Sequence, residues 1–410
     1  MLTRMGLFLL CIALGAILPF LTVTAQSQSD ISQKAHDLHF SSIVVDTHDD
    51  TTQRLLDPKF DFGIRHNDGS IDIPRMREGN LSAIFFSIWI SGTITGPEAV
   101  KRAMDQIDVV RELPVRHPKD IALARTADHV RRIHADGKIA ALMGVEGGHM
   151  IDNDLGVLRD FARLGVRYMT LTHMVDTDWA DSSTGKASHN GLTDFGKQVV
   201  HEMNRMGIMV DISHVSDKTF YDALAISEAP MIASHSSCRS ICDAPRNMTD
   251  DMIKALAAKG GVIQINYHVG FLSQEFRNAD KANPDMGKAM QEEIKKRCGE
   301  NEGCQLTEGD KLTREYVAQG KLPRVEWTKI IDHIDHAVKL VGADHVGLGS
   351  DFDGANMPYG MEDASHLPQI TNALLAKGYS ASDIQKILGG NTLRVMEQVE
   401  ATSKRMGGQP

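Results

Sequence analysis

Ile139-Ala-Ala-Leu-Met-Gly-Val-Glu-Gly-Gly148 is a short apolar run that ends abruptly in a carboxylate and two glycines. Its length suits a strand, and its apolar character on both faces marks a strand of a parallel sheet covered by helices. Seven further runs read the same way: Ser42–Asp46, Ala83–Ile90, Val166–Leu171, Ile208–Ile212, Pro230–Ala233, Gly261–Ile265 and His345–Leu348. Helices are predicted between them at Gly96–Leu113, Ala127–Asp136, Asp194–Met206, Asp217–Ser227, Asp250–Lys259 and Arg324–Val341. Ser216-Asp217 ahead of an amphipathic run is a capping signal. Eight strands alternating with helices predict an α/β fold, a (β/α)₈ TIM-type barrel. From Ser273 to Lys321 the chain turns polar and loses the strand pattern. We expect a partly helical insertion there, between strands 7 and 8 on the catalytic rim.

The ends of the chain set its expected location. Met1–Gly6 carries Arg4, Leu7–Leu21 is almost wholly apolar, and Val23-Thr24-Ala25 supplies small residues. This is the pattern of a secretory signal, too short in its apolar part to span a bilayer comfortably. A signal over residues 1–25 predicts an exported protein, periplasmic or secreted, with a barrel domain over 26–410 and no membrane anchor after cleavage. Ser403–Pro410 has no apolar tail for a lipid anchor. A net charge of -10 gives no basic footprint, so nucleic acid is not an expected partner. Cys238, Cys242, Cys298 and Cys304 allow three complete disulfide pairings, and Cys298 and Cys304 lie close enough to staple a local loop.

Ionisable residues gather where such a barrel does its chemistry. His48 and Asp50 follow the first run, Glu146 the third, His173 the fourth, His214 the fifth, His235 the sixth and Asp351 the eighth. Catalytic groups of TIM barrels collect at the carboxyl ends of several strands. One histidine there would read as a hydrogen-bonded structural residue, but so many together point to a metal site. Strand alternation puts His48 and Asp50 on one side and Asp49 on the other, which favours Asp50 as a ligand. Asp46 shares that side one layer deeper, as a supporting acceptor. Glu146 can bridge two cations through its two oxygens, and its flanking glycines let a metal centre approach. His214 and His235 can complete a second ion's shell. Imidazole and carboxylate without thiolate suit zinc or a neighbouring divalent metal.

Several motifs then occur in order. They are Asp46-Thr47-His48-Asp49-Asp50, Gly144-Val145-Glu146-Gly147-Gly148-His149, Leu171-Thr172-His173 and Trp179-Ala180-Asp181-Ser182-Ser183, followed by Asp211-Ile212-Ser213-His214-Val215-Ser216. Ser234-His235-Ser236-Ser237, Arg246-Asn247 and Gly347-Leu348-Gly349-Ser350-Asp351-Phe352-Asp353-Gly354 complete the set. From about Ser42 to Gln398 the chain resembles the membrane (renal) dipeptidase family of zinc metallopeptidases, amidohydrolase-like barrels. The resemblance implies two Zn²⁺, one on His48 and Asp50, the other on His214 and His235, with Glu146 between them. It implies that His173 contacts substrate and stabilises the tetrahedral intermediate, that Arg246 binds the terminal carboxylate, and that Asp351 handles protons. Asp176 departs from the Asn of some members, and the insertion is longer than expected. Both are taken to touch the substrate cleft.

The expected reaction is hydrolysis of a dipeptide's peptide bond by a metal-bridging hydroxide. A carboxylate clamp at Arg246 would restrict substrates to dipeptides. The same dimetal barrel could instead cleave N-acyl amino acids, lactones or β-lactams, because fold and metals do not choose the bond. The partners expected are a dipeptide and, as an assembly, a homodimer. Trp179 and Asp181 are expected to stiffen the loop beside the site. His66, His149, His189, His268 and His366 read as structural or surface residues, and Asn391-Thr392 with Arg394 as a helix under the barrel.

Overall fold

The computed structural model describes residues 31–408; the expected signal segment lies outside them. Strands β1 (Val44–Asp49), β2 (Leu81–Trp89), β3 (Ile121–Leu123), β4 (Ile139–Glu146), β5 (Val166–Thr170), β6 (Met209–Asp211), β7 (Ile232–Ser236), β8 (Val262–Ile265) and β9 (Val346–Leu348) form one sheet. Its ladders are parallel and its path runs β1-β2-β4-β5-β6-β7-β8-β9. Bonds just past the ends of β9 and β1 bring the sheet round: Asp50 N donates to Phe352 O at 2.9 Å, and Asp351 N to His48 O at 3.1 Å. Inside, the Thr47 hydroxyl reaches the carbonyls of both Ser234 and Leu348. The eight runs predicted from sequence are the eight strands of this TIM-type barrel.

β3 was not predicted. It pairs with Ile139–Ala141 at the start of β4, and three residues are too few for a periodicity to show.

Alternation along the strands divides the core. Val44, Ile84, Phe86, Ala141, Met143 and Met169 pack in the cluster shared with the surrounding helices. Val45, Ala83, Phe85, Ala140, Leu142 and Tyr168 belong to a second cluster that fills the barrel. Leu393, Val395, Met396 and Val399 of the helix Asn391–Arg405 join that second cluster. Asn391 donates to the carbonyls of Ala343 and Val346, and Arg394 to those of Gly260 and Asp344, so the helix closes the amino-terminal end of the barrel as expected.

The insertion is more helical than expected, with Gln274–Ala282, Pro284–Cys298 and Glu302–Ala318. Its start and stop signals are local: Pro284 in the first turn of its helix, basic Lys295, Lys296 and Arg297 in the last, and an Asn301 side chain capping Cys304 N. Cys298 and Cys304 form a disulfide, while Cys238 and Cys242 are free and buried.

Candidate metal centre

Glu146, the last residue of β4, lies at the middle of the rim. Its Oε1 is 2.9 Å from His214 Nε2, 3.2 Å from His235 Nε2 and 3.7 Å from His173 Nε2. Its Oε2 is 3.5 Å from His48 Nε2, which is itself 3.7 Å from Asp50 Oδ1. Three overlapping groups result, His48/Glu146/His235, Glu146/His173/His214 and His48/Asp50/Asp351, each with candidate ligand atoms within 4.8 Å of one another. The residues singled out from six separate strand ends therefore meet in one place.

The supporting geometry follows from the strands. Asp49 turns away from the site and accepts Thr51 N and its hydroxyl. Asp46 accepts His48 N and Ser350 N, the supporting role expected of it. His214 and Asp351 both adopt left-handed backbone conformations, at φ 66° and 65°, an unfavourable geometry for side-chain-bearing residues that concentrates at functional sites. Gly354 makes room for two acids: a Cβ there would lie 1.7 Å from Asp50 Oδ2 and 2.7 Å from Asp351 Oδ1.

The donor set fits divalent metal. His48 Nδ1 is engaged with the Tyr168 hydroxyl at 2.7 Å and His235 Nδ1 with Ser234 Oγ at 2.8 Å, which leaves both Nε2 atoms directed at Glu146. His48 Nε2 and Asp50 Oδ1 are buried without a hydrogen-bond partner, a cost of about 1–3 kcal/mol each that a cation would relieve. Burial lowers the His235 pKa to about 4 and drives that of His214 well below its usual range, so both imidazoles are neutral and able to ligate. Burial also depresses His173 and pushes Asp50 up. At Glu146 burial acts to raise the pKa, but the charge of neighbouring His48 and the hydrogen bonds from His214 and His235 prevail and hold the carboxyl well below its usual range.

A cavity of about 260 Å³ opens above these groups. Its floor includes Asp50, Glu146, His173, His214, His235 and Asp351; Trp89, Met174, Phe271 and Leu306 give apolar walls; Arg246 and His268 add nitrogen donors. Arg246 is 5% exposed, and this decides between a surface salt bridge and a buried clamp. It donates to His235 O and Ser236 Oγ, its Nε has no partner, and no carboxylate pairs with it among the described residues. Asp351 is steadied by Asn266 Nδ2 at 2.9 Å.

The structure corrects three readings. His268, set aside as structural, is on the cavity wall. Asp176 is not among the wall residues: it accepts from Ser182 N, Lys186 N, Ser188 N and the Ser188 hydroxyl, and so ties down the loop that follows His173. Gly147 and Gly148 make room for protein and not for metal, since a Cβ would meet His149 at 2.6 Å and Trp179 at 2.3 Å respectively. Trp179 is buried core, and Asp181 holds its loop by accepting His189 N and Gly191 N. Trp89, Met174, Phe271 and Leu306 were missed because single apolar residues carry no signal of which face they line.

The chain is similar to known proteins. A family model described as membrane dipeptidase, peptidase family M19, matches residues 32–409. Dipeptidase 3 of Mus musculus is 34% identical over 347 residues, 83% of this chain and 60% of that protein. Dipeptidase 3 of Macaca fascicularis is 33% identical over 384 residues, covering 90% and 68%. The chain thus spans about 60% of the length of the mouse and rat relatives. Among solved structures, the probable dipeptidase PvdM from Pseudomonas aeruginosa aligns with a TM-score of 0.76 at 27% identity, over 90% of this chain and 98% of that one. A metallopeptidase from Rhodobacter sphaeroides, liganded with a phosphinate mimic of the dipeptide L-Ala-D-Ala, aligns at 0.72 and 26%, over 87% and 99%.

Proposed function

The chain belongs to the membrane dipeptidase family, peptidase family M19, and from that premise we propose that it is a zinc-dependent dipeptidase. His48 and Asp50 would hold one ion, His214 and His235 the second, and Glu146 both. Bound there, the two ions would supply Lewis acidity toward the scissile carbonyl and make water a nucleophile near neutral pH.

The remaining residues divide the work. Arg246 presents a planar fork to the substrate's terminal carboxylate, and a longer peptide would put a neutral amide in its place. His173, kept neutral by burial, offers its N–H to the carbonyl oxygen as charge develops there. Asp351, fixed by Asn266, takes a proton from the attacking water and passes it to the leaving amine.

The observation that carries this reading is the buried Arg246 guanidinium, paired with no carboxylate among the described residues, on the same small cavity as the Glu146 cluster. The test is a panel of free dipeptides against N-acyl amino acids, lactones and β-lactams, run with elemental analysis of the purified protein. Dipeptide turnover with two equivalents of zinc is expected. Preferential cleavage of any other class would overturn the substrate assignment.

We also place the mature protein outside the cytoplasm. The Cys298–Cys304 disulfide supports this, because such bonds persist in oxidising compartments. An amino terminus near Gln26 on protein recovered from the extracytoplasmic space is the expected finding, and an intact Met1 on membrane-extracted protein would overturn it.

A further inference from the structure

Beneath the candidate ligands lies a set of buried polar groups that takes no part in the proposed chemistry. Asp211, at the end of β6, accepts Ser213 N at 3.0 Å and Ser234 N at 2.8 Å through Oδ1, and the hydroxyls of Thr170 and Ser234 through Oδ2. A carboxylate only accepts, so the Ser234 hydroxyl proton is spent on it at 2.6 Å. Ser234 Oγ is then left to accept from His235 Nδ1, 2.8 Å away. Next to Ser234 is the fully buried phenol of Tyr168, whose oxygen is 2.7 Å from His48 Nδ1. The His48 and His235 rings stack with centroids 3.7 Å apart. The phenol's place is built into β4: a Cβ at Gly144 would lie 1.9 Å from Tyr168 Cζ.

We propose that Asp211, Ser234 and Tyr168 form one buried positioning layer: Asp211 and Ser234 keep the proton on Nδ1 of His235, and the Tyr168 phenol anchors Nδ1 of His48, so that one Nε2 is aimed at each of the two metal positions. The inference rests on the ligand set proposed above and deepens it. It assigns each of the two ions a support in the same buried layer of side chains under the site. His214 is the internal contrast: its Nδ1 has no partner, and nothing in this layer holds its ring. None of the three residues touches substrate; they act only through the imidazoles they orient.

The test uses the full chain with Tyr168→Phe and Ser234→Ala, each of which deletes a single hydroxyl. Zinc affinity is measured by competition with a chromophoric chelator, ligand geometry by the absorption bands of the cobalt-substituted protein, and fold integrity by the melting temperature of metal-stripped protein. Each variant should bind zinc roughly 10- to 100-fold more weakly, the usual cost of losing a partner behind a ligating imidazole. Cobalt bands should shift while the metal-stripped melting temperature stays close to native. A merely structural role would lower that melting temperature and leave the cobalt bands of the folded protein unmoved, and that result overturns the proposal. Native affinity in both variants, with the native chain binding two equivalents, overturns the positioning layer but keeps the ligand set. A native chain that takes up no zinc overturns both. If Ser234→Ala does not fold, Tyr168→Phe decides alone.

Discussion

The rim of the barrel and the insertion between β8 and β9 face the same cavity but are built on opposite terms. All six residues of β1 are buried and so are all eight of β4, and the candidate ligands at their ends inherit that rigidity. In the insertion the helix Pro284–Cys298 buries none of its residues, and Glu302–Ala318 buries only Gly303, Leu312 and Thr313. Its surface is laced with ion pairs such as Arg297 with Glu293 and Glu308, partly exposed and worth little individually. Among the described residues it gives the cavity a single side chain, Leu306. Under the function proposed above, the rim would fix the chemistry and the insertion would adjust the shape of the cleft.

If that division is right, substitutions on the rim should be severe and chemical. Glu146→Ala removes the one carboxylate within reach of His48, His173, His214 and His235, and should abolish dipeptide turnover. Elemental analysis should find both zinc ions depleted in Glu146→Ala, whereas His214→Ala should mainly loosen one. Two full equivalents retained in Glu146→Ala would break the bridging role.

Arg246→Ala comes next. Loss of a charge-assisted, bidentate contact of roughly 2–4 kcal/mol corresponds to about a 30- to 1,000-fold fall in kcat/KM for free dipeptides. Zinc content should not change. Amidating the substrate should cost the native protein a similar factor, and the two losses should not add. A native protein that cleaves dipeptide amides as readily as free dipeptides would show that Arg246 is no clamp.

The same contrast explains what the sequence disclosed. Burial on both faces leaves continuous apolar runs, which is why all eight barrel strands could be located, and why polar residues at their ends stood out. Asp50 was preferred over Asp49 on alternation, but Val45 faces the barrel interior and a register shift falls between Asp46 and Asp49, so it is this irregularity, which no local pattern records, that brings His48 and Asp50 to the site. Tyr168 was invisible as a support for His48, since its role depends on the register that sets it beside Gly144 across β4 and β5. His268 and Trp89 were missed for a related reason: their place on the cavity wall is set by the path of chain after a strand or at its last residue, which no local pattern records. In the insertion the sequence disclosed only a polar, partly helical segment, and nothing announced that Leu306 would point inward.

A milder effect should follow from changing that residue. Leu306→Ala removes apolar surface from the cavity wall, and for a dipeptide with a bulky apolar side chain the loss is about 1–2 kcal/mol, or roughly 5- to 30-fold in kcat/KM. Glycylglycine should be cleaved at the native rate with native zinc content. A loss equal for both substrates would mean that Leu306 supports the rim and not the shape of the cleft.

The smallest effect on catalysis is expected from the disulfide. Cys298 and Cys304 are separated by 6 residues and join the end of one exposed helix to the start of the next, two residues before Leu306. Closing so short a loop restricts the open chain by roughly 2 kcal/mol in the chain-entropy account. Because Pro284–Cys298 is not part of the core, that constraint should act locally and not on the global fold. Replacing both cysteines with serine should therefore raise amide hydrogen exchange around residues 299–306 by up to about 30-fold, the equivalent of that free energy. Exchange in β1, β4 and β7 should not change, zinc should remain at two equivalents, and turnover of bulky dipeptides should fall by less than in Leu306→Ala. The turn is also held from the barrel side, where Gly303 packs against the backbone of Gln53 and Arg54. Faster exchange spreading into the barrel strands would show that the two regions are mechanically one, and the division between a chemical rim and a shape-setting insertion would fail.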